Sequence, residues 1–307
     1  MNKNDSTINI DINDIDVQDV DTTGNSEALS DEQHEVADNN YAEEDIDEDD
    51  IAIADKNAPI IMLFGPRSSG KSMTLVRLSR YLRDNQYTIV VDDTFKSDRK
   101  YKEKCKKFLN DLNTTKALSG NAYTDFLLVK VVKHGRTICQ FLEAPGEHYF
   151  DPEDIDASNF PPYMTEIIRN LRNRKIWAFI TEAKWEVGHK TKVAYVDRIR
   201  NCKNMLMHST DRCIILYNKI DQKKELFEDG QIHLGPAENE MRQEYEGLAR
   251  VFKNNNPITS LWRTYNYKFV PFCTGYYFKD KGELKYKKSE DLYPKLLWDA
   301  LMKCIRG

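Results

Sequence analysis

Hydrophobic and polar positions fall into two rhythms after residue 57 and into neither before it. Residues 59–64 (PIIMLF) are a continuous apolar run, as expected of a strand buried on both faces. A turn spans 65–70, and 71–85 then carries Met73, Leu75, Val76, Leu78 and Leu82 at helical spacing. Two strand-like runs, 125–132 and 136–142, are linked by Lys133-His134-Gly135, a link of hairpin length. Beyond them the pattern predicts helices at 163–173, 193–207, 238–252 and 292–304. It predicts strands at 176–180, 213–217 and 268–273. Strands alternating with helices imply an α/β chain in three layers: a mostly parallel sheet with one antiparallel hairpin strand, covered on both faces. Three stretches interrupt the alternation, 92–123, 222–237 and 276–290, and are expected to be insertions.

Charge divides the chain at the same place as pattern does. The 307 residues carry a formal charge of −5, but residues 1–57 hold 19 Asp and Glu against Lys3 and Lys56, whereas 58–307 carry a net +12. So acidic and sparsely apolar a segment cannot bury enough surface to offset its ordering entropy. Residues 1–57 are therefore expected to be a disordered acidic tail, and 58–307 a single globular domain. The tail reads as a solubilising extension, or as an interaction tail or cover for the basic domain. Six cysteines are scattered with no CxxC pair, which argues against zinc and against a disulfide framework. No run approaches the roughly 18 apolar residues of a membrane span, and the N-terminus lacks the pattern of a secretory signal. A cytoplasmic chain without a transmembrane segment is expected. Peripheral membrane contact stays open, and nucleic-acid binding is not expected from lysine-rich insertions alone.

Two motifs carry chemistry. Gly65-Pro66-Arg67-Ser68-Ser69-Gly70-Lys71-Ser72 fits the phosphate-loop pattern G-x-x-x-x-G-K-[ST] between a predicted strand and a predicted helix. Glycines there let successive amides turn toward a phosphate at a helix N-terminus. Lys71 is expected to reach the β- and γ-phosphates, and the Ser72 hydroxyl to ligate Mg²⁺. The second motif, Asn218-Lys219-Ile220-Asp221, follows the apolar run 213–217, at a strand's carboxyl end where open α/β sheets place ligands. An aspartate there accepts from N1–H and the exocyclic amine of guanine. Facing adenine it would stay unpaired, at a cost of roughly 1–3 kcal/mol. Asn218 is expected to tie this loop to the phosphate loop, with the Lys219 stem along the base plane.

A phosphate loop, Glu143-Ala144-Pro145-Gly146 and Asn218-Lys219-Ile220-Asp221, in that order, resemble the TRAFAC-class GTPases with a Ras-like core, and in general appearance the bacterial double-GTPase subgroup. The resemblance spans about 59–307. It implies that Glu143, where relatives carry Asp, holds Mg²⁺, and that the Gly146 amide senses the γ-phosphate. It also implies that Cys273 and Thr274 form a base-contacting loop, and that Thr124, with Thr114 and Thr115 as rivals, covers the phosphate and metal. Glu147 and His148 stand where relatives position the attacking water. Arg67, usually a small residue there, is either a built-in arginine finger or an obstruction. Cys304, fourth from the end, fits the prenylation pattern poorly. It shares a helical face with Leu297, Ala300 and Leu301 and is expected in the core. The resemblance thus implies a switch that binds GTP and GDP with Mg²⁺, hydrolyses GTP and signals to a protein partner. The alternatives are a GTP-binding scaffold with negligible hydrolysis and an ATP-dependent kinase or ATPase.

Overall fold

The computed structural model describes residues 7–9, 53, 55–96, 99–113, 126–155, 160–223, 226–228, 231–280 and 283–307. Most of the predicted tail, and Thr114, Thr115 and Thr124, lie outside them. The apolar run after Pro59 forms β2 (Ile60–Phe64), every residue of which is buried, and it is the middle of a seven-stranded sheet. Its neighbours are β5 (Arg136–Glu143) and β6 (Lys175–Glu182), both parallel to it. Outward from β6 come β7 (Arg212–Asn218) and β10 (Lys268–Pro271), again parallel. Outward from β5 come β4 (Leu127–Lys133) and β3 (Thr88–Val91), each antiparallel to its neighbour. The predicted hairpin is therefore β4–β5, and its reversal at His134-Gly135 uses positive φ at both residues, 50° and 74°.

Helices cover the sheet. α1 (Lys71–Asp84), α2 (Arg99–Leu112) and α8 (Leu292–Arg306) pack as one group. α5 (His189–Met205), α6 (Leu234–Glu244) and α7 (Leu248–Val251) form a second. Aromatic contacts fasten α5 to the sheet. Tyr195 lies against Phe64, and its hydroxyl donates to the carbonyl of Ile180. Short helices α3 (Gly146–Tyr149) and α4 (Pro162–Thr165) follow β5, and α4 runs into a π-helical turn at Glu166–Asn170. All six cysteines are buried free thiols, Cys304 among them in the core.

Several sequence expectations change in extent. The helix expected at 163–173 ends at Asn170, after which Leu171 is extended. The helix expected at 238–252 is two, because Gly247 adopts φ 85° between them. β3 lies outside the predicted elements. The stretch 92–123 contains α2, whose Tyr101, Cys105, Phe108 and Leu112 are buried. The stretch 276–290 contains most of a hairpin, β11 (Gly275–Asp280) with β12 (Glu283–Lys288). The stretch 222–237 contains β8 (Phe227–Glu228), β9 (Gln231–His233) and the start of α6. Within 1–57, β1 (Thr7–Asn9) pairs antiparallel with β9, and Ile53 is buried in the core. Side-chain amides of Gln140 and Asn173 both donate to the carbonyls of Asp55 and Ala58, clamping the chain as it enters β2.

Candidate functional site

β2, β6 and β7 point their carboxyl ends the same way, so the loops that leave them converge. After Phe64 the chain turns through residues 65–70 into α1. Ser68 and Gly70 both have positive φ (63° and 87°), and Ser69 N–H closes the turn on the Pro66 carbonyl at 3.3 Å. A Cβ at position 70 would meet Asn218 Nδ2 at 2.5 Å in addition to straining the backbone, so only glycine fits. Lys71 Nζ donates to the carbonyls of Gly65 (3.0 Å) and Pro66 (2.9 Å) and is buried, as is Ser69, while Arg67 and Ser68 at the crest of the loop are exposed. Burial holds its ammonium below the usual lysine range, opposed by the charges of Glu143, Glu147 and Glu182.

Two side chains reach the loop from other strands. From the end of β7, Asn218 Nδ2 donates to the Ser69 carbonyl at 2.9 Å. At the end of β5, Glu143 accepts from the Ser72 hydroxyl at 2.6 Å. Burial pushes the Glu143 carboxyl up to about 7, against the pull of Lys71 and Ser72. Among the described residues its second oxygen, Oε2, has no hydrogen-bond partner, and neither has Ser69 Oγ. Gly146, three residues on, packs on the loop's backbone. A Cβ there would sit 2.3 Å from Arg67 N and 2.5 Å from its Cα.

Buried polar atoms left without partners normally mark a site for a ligand, water or ion. Ser72 Oγ and Glu143 are hard oxygen donors of the kind a small divalent cation takes at a phosphoryl site. Such a cation completes its shell with phosphate and water. Among the described residues no cluster of three acidic, His or Cys side chains is built to hold a metal unaided.

The second motif lies on the same rim. Lys219 is left-handed (φ 57°) and opens a 3-10 turn, Ile220–Gln222. Its ammonium pairs with Glu182, a buried carboxylate at the end of β6 whose acidity burial weakens. The Ile220 amide donates to the Phe272 carbonyl, bringing in the loop after β10. There Cys273 and Thr274 are buried, the Cys273 thiol donates to the Gly275 carbonyl, and the same thiol lies near enough to Asp221 to bear on its carboxyl. Partial burial raises the Asp221 carboxyl, with that thiol and Lys219 opposing. A cleft of about 710 Å³ opens beside these groups, walled by Arg67, Ser68, Glu182, Trp185, Lys219 and Gln222. No sequence motif marks Glu182 or Trp185. The available signal was that a strand's carboxyl end carries ligand groups, and β6 extends two residues past its apolar run.

The structure thus brings together Gly65 to Ser72, Glu143, Gly146, Asn218, Lys219, Asp221, Cys273 and Thr274. Glu147 lies in α3, close enough to act on Lys71 through its charge, and His148 Nδ1 shares a 2.9 Å hydrogen bond with Tyr163 OH.

No family model and no curated protein matches the chain. Among solved structures it is similar to the GTPase-like domain of S. cerevisiae Ski7 in two states. With the GTP-bound domain it shares 13% identity at a TM-score of 0.40, over 82% of this chain and 50% of that one. With the domain bound to GDP and inorganic phosphate it shares 13% identity at a TM-score of 0.37, over 71% and 43%. The chain spans half or less of the length of these solved chains.

Proposed function

We propose that the chain binds GTP and GDP with Mg²⁺ and hydrolyses GTP, slowly in the absence of a partner. The observation that carries this reading is the convergence of three separate segments on one rim. Ser72 bonds Glu143, Asn218 bonds Ser69, and the turn that carries Asp221 is tied through Ile220 N–H to the Phe272 carbonyl of the loop after β10. The loop amides and Lys71 bind the phosphates; Lys71 moves its ammonium from the Gly65 and Pro66 carbonyls to phosphate oxygens of higher charge. Ser72 and Glu143 hold Mg²⁺, which neutralises charge on the transferred phosphoryl group. Asp221 reads the guanine edge, and the backbone of Cys273 and Thr274 borders the base. Glu182 fixes the Lys219 stem along it.

Little covalent chemistry is asked of a protein in phosphoryl transfer, so turnover depends on placing a water. Glu147 and His148 are the residues after Gly146 available for that. One observation favours binding with negligible turnover as the second reading: one ring nitrogen of His148 is already engaged by Tyr163.

A competition titration of GTP against ATP tests the proposal. GTP should win by about tenfold or more, the worth of one partly buried carboxylate left unpaired. Equal affinities would refute the guanine assignment. Single-turnover hydrolysis, followed as phosphate release, then separates the two readings.

A further inference from the structure

The end of the sheet opposite the phosphate loop is built differently. There β6 begins at Lys175, β7 at Arg212 and β10 at Lys268, and α8 arrives with Arg306. Arg174 donates to the Ile305 carbonyl, and Lys268, Arg212, Arg263 and Arg174 all lie near enough to the Cys304 thiol to bear on it. Segments 171–175, 203–212, 252–268 and 301–307 meet at this end. Together they hold ten Lys and Arg against a single acidic residue, Asp211. Asp211 is buried, accepting from the Lys175 amide and the Trp177 indole, and Lys175 is buried as well. Nine cations of these segments therefore remain for the surface, beside the chain that passes Asp55 and Lys56 into β2, where Asn173 grips it.

From this surface rises the loop between α7 and β10. Its stem is antiparallel: Asn254 N–H donates to the Thr264 carbonyl at 2.9 Å, and Asn266 N–H to that of Phe252 at 2.7 Å. Asn256 Oδ1 accepts from the amides of Ile258 and Thr259, and Asn254 Nδ2 donates to Thr259 Oγ1 and the Arg263 carbonyl. The tip so fixed presents Ile258, Leu261 and Trp262 at 67%, 77% and 75% exposure. Exposed Met205 closes α5 next to Lys203 and Asn204, which share a depression with Lys253 and Asn256.

We propose that this loop docks the protein on an anionic lipid bilayer, with Ile258, Leu261 and Trp262 entering the interface and the surrounding cations facing the headgroups. Aliphatic side chains plus tryptophan inside a basic rim are the composition of an interfacial anchor. Nucleic acid would use the cations and leave Ile258 and Leu261 in water. A second copy would set one cationic surface against another, which like charge disfavours.

The test is co-sedimentation of the full chain with vesicles of phosphatidylcholine, alone or with about a third phosphatidylserine, at low and high salt. Binding is expected to the anionic vesicles at low salt, with a blue shift in tryptophan emission that Trp262→Phe removes. Leu261→Ser with Trp262→Ser should weaken partition about tenfold or more. Arg263→Glu with Lys268→Glu should abolish the preference for anionic lipid. The first pair are exposed and should leave the melting temperature unchanged. Lys71→Ala should partition like the parent, so failure here is distinguishable from failure of the nucleotide reading. Three outcomes would overturn the proposal: no partition at low salt, partition unaffected by the Leu261/Trp262 pair, or a dimer that this pair dissolves. Salt-sensitive capture of an RNA oligonucleotide without vesicle binding would also overturn it, assigning the cations to nucleic acid.

Discussion

The phosphate loop and the segment after Gly146 lie against each other, yet they are built on opposite principles. The loop is held by Lys71 on its own carbonyls and braced from two other strands, by Ser72 on Glu143 and by Asn218 on Ser69. The segment after Gly146 is a four-residue helix in which Glu147 faces solvent and His148 is tied to Tyr163. A binding site gains from rigidity, because groups already in place lose little freedom when the ligand arrives. A segment that places water or reports nucleotide state must be free to move. On the proposed reading, affinity rests on the phosphate loop and any switching on Glu147 and His148, the two residues of the short helix that are not buried; Tyr149 at its end is fully buried against Phe64.

The largest effect on this contrast should come from Lys71→Ala. It removes charge-assisted bonds worth roughly 1.5–3 kcal/mol each, so triphosphate affinity should fall by about a hundredfold or more in a titration. Unchanged affinity would break the assignment of affinity to the loop. Asp221→Asn should cost GTP roughly tenfold to a hundredfold and admit xanthosine triphosphate, whose carbonyl accepts where guanine donates. A base preference identical to the parent's would exclude that contact. Gly146→Ala should rank third. Its methyl meets the Arg67 backbone, and overpacking of this kind costs roughly 1–3 kcal/mol, measurable as a lower melting temperature and weaker nucleotide binding. Smallest on affinity should be His148→Ala, within about threefold, while single-turnover hydrolysis changes. A hydrolysis rate equal to the parent's would remove His148 from water positioning and sharpen the case for binding without turnover.

Legibility in the sequence followed the same divide. The phosphate loop and Asn218–Asp221 are contiguous and flanked by clean apolar runs, so the residues and their place on the sheet could be read together. The bonds that brace them span 71 and 149 residues, and only their recurrence as motifs made them readable. Glu182 was invisible because the apolar run ends at Ile180. Thr181 and Glu182 are nonetheless buried, since strand pairing, not side-chain polarity, sets where β6 stops. β3 is four residues long with alternate ones exposed, too short a pattern to assert itself. α2 carries its four buried residues at helical spacing, but the lysines between them obscured it. Gly247 divided a helix that periodicity alone would have continued.

The clamp at Asp55 and Ala58 gives the molecule a mechanical handle. Gln140 and Asn173 grip the chain where it enters β2, the strand lies between two parallel partners, and the phosphate loop begins immediately after its last residue. A pull applied upstream of that grip acts along β2 and loads the hydrogen bonds on both sides in shear, so they share the force instead of opening one at a time. Traction on the N-terminal segment is therefore delivered to the sheet's centre, at a distance of one short strand from the phosphate-binding backbone.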